Sequence, residues 1–189
     1  MSSYTTNEIR GGMKLLIDGD PYSVIDNEYV KPGKGQAFNR IRVRNLRTGR
    51  TVEKSYRSGE SIEAADVMDT EMQYLYKDGD FWTFMNPENY DQIAVSVGVV
   101  GDLAPYLQES MAVTLSVYEG VGIALELPQR AVYEVVETEP TTKGQTASSS
   151  YKPAILSNGV KTAVPPHIAV GTRIVVMTAD GSYVERAKD

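Results

Sequence analysis

The sequence predicts an all-β protein made of three small β-barrels in series. Short runs with alternating apolar residues or many β-branched residues recur along the whole chain, and turn dipeptides separate them. The charge also changes near residues 65 and 128. Residues 1–65 carry eleven Lys and Arg against eight Asp and Glu, residues 66–127 one against eleven, and residues 128–189 seven against six. We therefore expect domains at 1–65, 66–127 and 128–189.

The elements follow from these patterns in chain order. Strands are predicted at residues 14–17, 22–30, 38–46, 93–97, 111–117, 131–136 and 172–177. Turns are predicted at Asp18-Gly19, Asp78-Gly79, Glu119-Gly120, Asn158-Gly159 and Asp180-Gly181. Two short helices are predicted at 61–67 and 103–109, the second with Asp102 as its N-cap. Residues 140–153 have almost no apolar side chain and predict a long mobile loop inside the third domain.

Composition excludes several classes of protein. The 189 residues include no cysteine, so disulfides, thiolate zinc sites and cysteine nucleophiles are excluded. The N-terminus lacks a basic start followed by an apolar stretch, and no run approaches the roughly 18 apolar residues of a membrane helix. We expect a cytoplasmic protein without a membrane partner.

A basic segment lies within this acidic chain. The formal net charge is -6, yet residues 31–57 contain nine Lys and Arg and a single acid, Glu53. Alternation in the strand at 38–46 places Arg40, Arg42 and Arg44 on the face opposite Ile41 and Val43. The arginines form either a solvated strand face or a surface for a polyanionic partner, and the extent of the basic segment favours the polyanion.

A glycine-rich loop precedes that strand. Seven residues lie between two strand-like segments, which is typical of a protruding hairpin loop: Lys31, Pro32, Gly33, Lys34, Gly35, Gln36 and Ala37. Gly33 and Gly35 remove side chains on both sides of Lys34, so the lysine is displayed at the tip. A Walker phosphate loop is disfavoured because Lys34 is followed by Gly35 and Gln36, which lead into a strand, whereas the Walker pattern needs Ser or Thr after the lysine and a helix. An ordinary flexible hairpin tip remains the alternative.

Other candidate residues favour structural roles. His167 is the only histidine, and a lone histidine cannot form a metal site unaided. Trp82, Tyr74 and Tyr76 alternate in strand-like runs, which predicts barrel core. No hydrolase, zincin, Rossmann or Walker motif occurs, and the acids show no metal-binding spacing. We therefore expect no catalytic residues, no metal and no cofactor.

The hairpin and several further motifs resemble elongation factor P. The hairpin motif is Lys31-Pro32-Gly33-Lys34-Gly35-Gln36-Ala37 followed by Arg40 and Arg42. The other motifs follow in family order: Ile9-Arg10-Gly11-Gly12, the run from Tyr74 to Trp82, Lys152-Pro153-Ala154, Val164-Pro165 and Gly181-Ser182-Tyr183. Together they span the chain, and as a set they are highly specific.

The resemblance implies a fold and a function. The fold would be an N-terminal SH3-like (KOW-like) barrel followed by two OB-fold barrels, in an L-shaped arrangement that resembles transfer RNA. The factor would bind the ribosome between the peptidyl and exit sites, beside a peptidyl-tRNA stalled on consecutive prolines. It would promote peptide-bond formation there as a non-enzymatic, monomeric protein. The acidic middle domain suits mimicry of a nucleic acid, although solubility or a partner contact would explain it equally well.

The resemblance also implies functional residues. Lys34 would be extended with a β-lysyl group by an enzyme resembling a lysyl-tRNA synthetase, and the transfer or ribosomal RNA contacts would be Lys31, Pro32, Gly33, Lys34, Gly35, Gln36, Arg40, Arg42 and Arg44. Messenger RNA or small-subunit contacts would be Gly144, Gln145, Thr146, Tyr183 and Arg186. Gln145 replaces the acid of the family's loop, so the messenger RNA contact is in question.

Three classes of function are thus open: a ribosomal factor, a general RNA-binding multi-barrel protein and an enzyme. The absence of catalytic motifs makes the enzyme the weakest of them. The single displayed Lys34 separates the other two, because nonspecific RNA binding does not require it.

Overall fold

The computed structural model describes residues 2–140 and 150–188. The chain forms two compact units. One comprises the residues up to Thr70 together with Leu115–Leu125, and the other comprises Glu71–Thr114 together with the residues from Glu126 onward. The described residues are nearly all β, as the sequence predicts, and the KOW-like and OB-type architecture is confirmed.

The first unit begins with six strands, which form two sheets. A four-stranded antiparallel sheet has the order β2-β3-β4-β5, and a two-stranded sheet pairs β1 with β6. The strands are β1 (Ser3–Thr5), β2 (Lys14–Ile17), β3 (Asp20–Val30), β4 (Phe38–Asn45), β5 (Thr51–Arg57) and β6 (Ser61–Glu63).

A small apolar core holds these strands together. Ile41 and Val43 of β4 are completely buried and pack with Leu15, Val24 and Ile62. The alternation expected in this strand is therefore present, and it fixes the register because a one-residue slip would turn both side chains outward.

The remaining strands form two five-stranded sheets. The first has the order β11-β10-β7-β8-β9 and the second β14-β13-β12-β15-β16. The strands of the first are β7 (Val67–Asp78), β8 (Phe81–Met85), β9 (Gln92–Ser96), β10 (Ala112–Tyr118) and β11 (Val121–Glu126). Those of the second are β12 (Arg130–Thr138), β13 (Lys152–Leu156), β14 (Lys161–Val164), β15 (Arg173–Met177) and β16 (Tyr183–Arg186). Every strand predicted from the sequence is found, with ends within two residues of those expected.

The predicted helix at 61–67 is wrong. Residues Ser61–Glu63 form β6, which pairs with Ser3–Thr5, and Ile62 alone of the three is buried. The run is too short to show the difference between a helical and a strand period, and pairing with a distant N-terminal strand decides the outcome.

The predicted helix at 103–109 is displaced and tighter. A four-residue helix α1 (Val97–Val100) leads into a 3-10 helix η1 (Gly101–Tyr106), which contains Pro105. Asp102 lies in the first turn of η1 and is not its N-cap, which is Val100. Pro105 has no N–H to continue an α-helical hydrogen-bond ladder, so the chain becomes extended at Leu107.

Two of the three aromatic residues predicted in the core are buried. Tyr74 and Trp82 are buried, but Tyr76 is 51% exposed. The register of β7 shifts between Tyr74 and Tyr76, so a bulge breaks the alternation and turns Tyr76 outward. Most of the loop predicted at 140–153 lies outside the described residues.

Candidate nucleic-acid interface

The predicted hairpin is present and ends in the glycine-rich loop. β3 and β4 pair antiparallel up to Val30 and Phe38, and residues 31–37 connect them. Gly35 has φ +106°, a conformation that residues with a Cβ rarely adopt. Lys34 is exposed and makes neither a hydrogen bond nor an ion pair with any residue that the structure describes. The side chain at the tip is therefore unengaged. We call residues 31–37 the arm.

The three predicted arginines lie on one face of β4. Ile41 and Val43 point into the core, so Arg40, Arg42 and Arg44 point to the outside of the sheet. Arg42 and Arg44 are exposed and Arg40 is half-buried.

Carboxylates from both neighbouring strands lie among these arginines. Arg42 Nη2 is 2.6 Å from Asp26 Oδ2 of β3. Arg40 Nη1 is 3.6 Å from Glu28 Oε2 of β3, and its Nε is 3.3 Å from Glu53 Oε1 of β5. The register explains these pairs, because Asp26 stands opposite Arg42, and Glu28 opposite Arg40. We call the seven ionised residues that β3, β4 and β5 place on this outer face the arginine face: Arg40, Arg42, Arg44, Arg57, Asp26, Glu28 and Glu53.

These seven residues are four cations and three anions, and Lys14 of β2 adds a further cation on the same side of the sheet, where its Nζ lies 3.3 Å from Ser23 Oγ. Sequence analysis found Glu53 but missed Asp26 and Glu28, because they precede the basic segment and only the strand register brings them to it. Within residues 2–140 and 150–188, Arg44 and Arg57 have no ion pair. These two arginines can therefore meet an anionic ligand without losing a carboxylate partner.

Two further ion pairs lie elsewhere in the same unit. Arg47 Nη1 is 3.6 Å from Asp20 Oδ1, and Lys54 Nζ is 3.7 Å from Asp18 Oδ2. Burial raises the pKa of Tyr56, which packs against the core, and the nearby Asp18 carboxylate adds to the effect. Tyr56 therefore stays a neutral hydrogen-bonding group at physiological pH.

The C-terminal contacts implied by the resemblance lie in the other unit or outside the described residues. Gly144, Gln145 and Thr146 fall in the part of the chain that is not described. Tyr183 begins β16 and meets Tyr151 edge to face, with ring centroids 6.1 Å apart. Arg186 ends the same strand and is exposed.

The described residues contain no cluster of three or more His, Asp or Glu side chains that could hold a metal ion. His167 is exposed. In the same residues, no helix is long and apolar enough to cross a membrane.

Comparisons with protein families match three successive segments. The elongation factor P (EF-P) KOW-like domain matches residues 5–62, the EF-P OB domain residues 67–125, and the elongation factor P C-terminal domain residues 132–186.

Individual relatives match almost the whole chain. Elongation factor P 2 of Mesorhizobium japonicum is 58% identical over 189 residues, which is 100% of both chains. Elongation factor P of Methylobacterium radiotolerans is 59% identical over 181 residues, 96% of each chain.

Two of the solved structures with a similar fold have low sequence identity to this chain. The eukaryotic translation initiation factor 5A from Methanococcus jannaschii is 20% identical and has a TM-score of 0.52, covering 67% of this chain and 94% of its own. A translation initiation factor eIF-5A family protein from Naegleria fowleri is 16% identical with the same TM-score, covering 67% of this chain and 98% of its own. At these identities the likeness concerns the fold.

Proposed function

The chain belongs to the elongation factor P family of translation factors, and from this premise we propose that it promotes peptide-bond formation at consecutive prolines. It binds the ribosome between the peptidyl and exit sites, beside the peptidyl-tRNA, and extends Lys34 toward the acceptor end. The observation that carries the proposal is the unengaged Lys34 at the tip of the arm.

The contrast between Lys34 and the nearby arginines supports this role. Arg40 and Arg42 have carboxylate partners in the same sheet, whereas Lys34 has none among the described residues. An ammonium group has three donors and no acceptor, so Lys34 can donate to ribose or phosphate oxygens of the acceptor end. We assign Lys34 no role as a general base. Its contribution is electrostatic and positional.

Positioning alone can supply a useful acceleration. Proline is a constrained nucleophile, and holding the two reacting groups in a productive geometry removes part of the entropic barrier. A β-lysyl extension, added by an enzyme resembling a lysyl-tRNA synthetase, lengthens the reach of Lys34 and adds donors. The protein itself is not an enzyme and needs no cofactor.

The arginine face provides a second, weaker contact. Arg44 and Arg57 are available for phosphate oxygens, and Arg40 and Arg42 must exchange carboxylates for phosphates to bind RNA. A general RNA-binding protein would gain little from a face on which Arg40 and Arg42 are already paired with carboxylates. The ion pairs therefore favour the ribosomal factor over the general RNA-binding alternative.

The remaining parts of the proposal concern organisation. We assign the three barrel domains to residues 1–65, 66–127 and 128–189 and propose that they adopt a tRNA-like arrangement. We also propose that the protein is a monomer in the cytoplasm. Tyr183 and Arg186, with Gly144, Gln145 and Thr146, are assigned to contacts with the small subunit and messenger RNA.

Translation of a reporter with a consecutive-proline motif tests the proposal. Lys34→Ala should fail to relieve the stall while sedimenting with ribosomes as the parent does. Lys161→Ala is the matched control, since it removes an exposed lysine of β14 outside the proposed interface. Equal rescue by all three proteins would sink the proposal.

A further inference from the structure

A hydrogen-bonded pair of asparagines lies inside the hairpin, close to the arm. Asn39 of β4 is only 2% exposed, and its Nδ2 donates to Asn27 Oδ1 of β3 at 3.1 Å. Asn27 Nδ2 donates to the backbone oxygens of Thr6 at 2.8 Å and Ile9 at 2.9 Å, which uses both amide hydrogens. Ser58 Oγ donates to Asn39 Oδ1 at 2.8 Å. We call Asn27, Asn39 and Ser58 the amide brace.

The amide brace joins three segments that are distant in sequence. Asn27 and Asn39 belong to the hairpin, Thr6 and Ile9 to the N-terminal turn, and Ser58 to the turn after β5. The two turns are themselves joined, because Gly59 N donates to Thr6 Oγ1 at 2.8 Å. Thr6 is completely buried. The hairpin is thus anchored on one side to a closed polar network.

A bulge marks where the hairpin needs this anchor. The β3–β4 register shifts between Val24 and Asp26, so Ile25 is the extra residue. β2 pairs with β3 only over Asp20–Ser23, before the bulge. Beyond the bulge, β2 no longer pairs with β3. Instead, the side-chain amide of Asn27 donates hydrogen bonds to the N-terminal turn on that edge. A bulge bends and twists a strand, and the segment beyond it needs further contacts to fix its direction.

Buried amides fix the direction of the hairpin better than apolar side chains would. A buried amide that loses its partner costs roughly 1–3 kcal/mol, so the amide brace penalises any tilt that breaks its bonds. Apolar contacts tolerate sliding because they have no preferred angle.

Small tilts at the brace become large displacements at the tip. Lys34 lies five positions before Asn39 in the sequence, so the tip is at most roughly 17 Å away in extended chain. A tilt of about 10° over that length moves the tip by about 3 Å, and a misplacement of about 1 Å can cost about 100-fold in a positioned reaction.

We propose that Asn27 and Asn39 are positioning residues that set the direction of the arm and thereby the place of Lys34. The effect on peptide-bond formation rests on the function proposed above. The part of the proposal that concerns the direction of the arm does not rest on that function, and this direction can be measured on the protein alone.

Spin labels can report the direction of the arm, because the chain has no native cysteine. Labels at Gln36→Cys on the arm and Glu63→Cys on β6 give a distance distribution by pulsed electron resonance. Asn39→Ala should shift the mean distance by about 2 Å or more, or widen the distribution, through the lever described above. Should Asn39→Ala be too unstable to label, Ser58→Ala removes one bond of the brace and should shift the distance in the same sense.

Asn45→Ala is the matched control. Asn45 is a buried asparagine on the same face of β4, but its side chain bonds Asp20 and the backbone of Arg47 and Thr48 at the opposite end of the strand. It should lower stability without changing the distance between the labels. An unchanged distance in Asn39→Ala, or an equal change in Asn45→Ala, would overturn the proposal.

The rate of proline–proline bond formation provides the second readout. Asn39→Ala should lower the rate at saturating protein about threefold or more, while the concentration that gives half the maximal rate changes less than about twofold. A merely structural defect would instead reduce the active fraction. That concentration would then rise while the saturating rate and the distance between the labels stayed parental, which would contradict the proposal. A shifted distance with a parental rate would uphold the positioning role and contradict the proposed function of Lys34.

Discussion

Single residues decide where the chain can approach itself closely. Gly11 faces the bulge of β3, and a Cβ built on it would lie 2.9 Å from the backbone oxygen of Ile25. Gly12 N donates to Val24 O at 2.8 Å in the same region. The bulge therefore admits only a glycine at position 11 without a shift of the backbone.

We expect Gly11→Ala to destabilise the first unit by about 1–3 kcal/mol through overpacking against the backbone. Urea denaturation followed by circular dichroism measures this change. Gly33→Ala is the control, since no atom lies within 4 Å of its added Cβ. Equal unfolding midpoints for both variants would show that the strand moves aside at no cost.

We expect a buried tyrosine to make the stability of the second unit depend on pH in alkali. Tyr133 OH donates to the backbone oxygen of Tyr106, and burial raises the pKa of Tyr133 to about 12, with Tyr106 adding to the effect. The unfolded chain has a tyrosine pKa of about 10. The stability from neutral Tyr133 is therefore fully present below pH 10 and is lost as the pH rises to about 12.

Tyr133→Phe should be less stable than the parent at pH 8 by about 1 kcal/mol, the value of one hydrogen bond. This difference should shrink between pH 10 and 12, because only the parent loses stability from ionisation of Tyr133. Urea denaturation at several pH values measures both effects. Tyr90→Phe, at a tyrosine that is 71% exposed, should follow the parent throughout. A difference that stays constant across that range contradicts the assignment.

At the scale of single elements, the hairpin was largely predictable and its electrostatics were not. Alternation in β4 predicted which residues face the core, and the loop composition predicted the exposed tip. Asp26 and Glu28 reach the arginine face only through the β3–β4 register, and a bulge sets that register. The amide brace was unpredictable for the same reason, since its hydrogen bonds join residues 12 to 21 positions apart in the sequence. Short elements such as β6 were mispredicted because three residues have no clear period.

The ion pairs of the arginine face predict an RNA-binding phenotype. Asp26→Asn with Glu28→Gln removes the β3 carboxylates opposite Arg42 and Arg40. The affinity for single-stranded RNA should rise about tenfold at low salt, and its salt dependence should steepen, as expected when more phosphates are neutralised. Stability should change little, because exposed ion pairs contribute about 0–1 kcal/mol.

Fluorescence anisotropy with a labelled oligoribonucleotide at several salt concentrations measures this affinity. The matched control is Glu63→Gln with Asp66→Asn, which changes the net charge equally at exposed acids of the same unit. If the control binds RNA as tightly as the test variant, total charge matters and the local pairing does not.

At the scale of the whole molecule, the net charge of -6 conceals an uneven distribution. The cations concentrate in the first third of the sequence and the anions in the middle third. The RNA contacts proposed for the first domain are therefore compatible with an acidic chain. Sequence motifs were enough to identify the family, because they recur in order along the chain. They were not enough to show which cations are engaged.

In the function that we propose, Lys34 accelerates peptide-bond formation by positioning the acceptor end. Quench-flow measurement of proline–proline bond formation on ribosomes, with saturating protein carrying Lys34 or Lys34→Ala, tests it most directly. We predict that Lys34→Ala lowers the rate about tenfold or more, as expected for a lost positioning contact, while its ribosome affinity stays near that of the parent. A parental rate for Lys34→Ala at saturation would contradict the account.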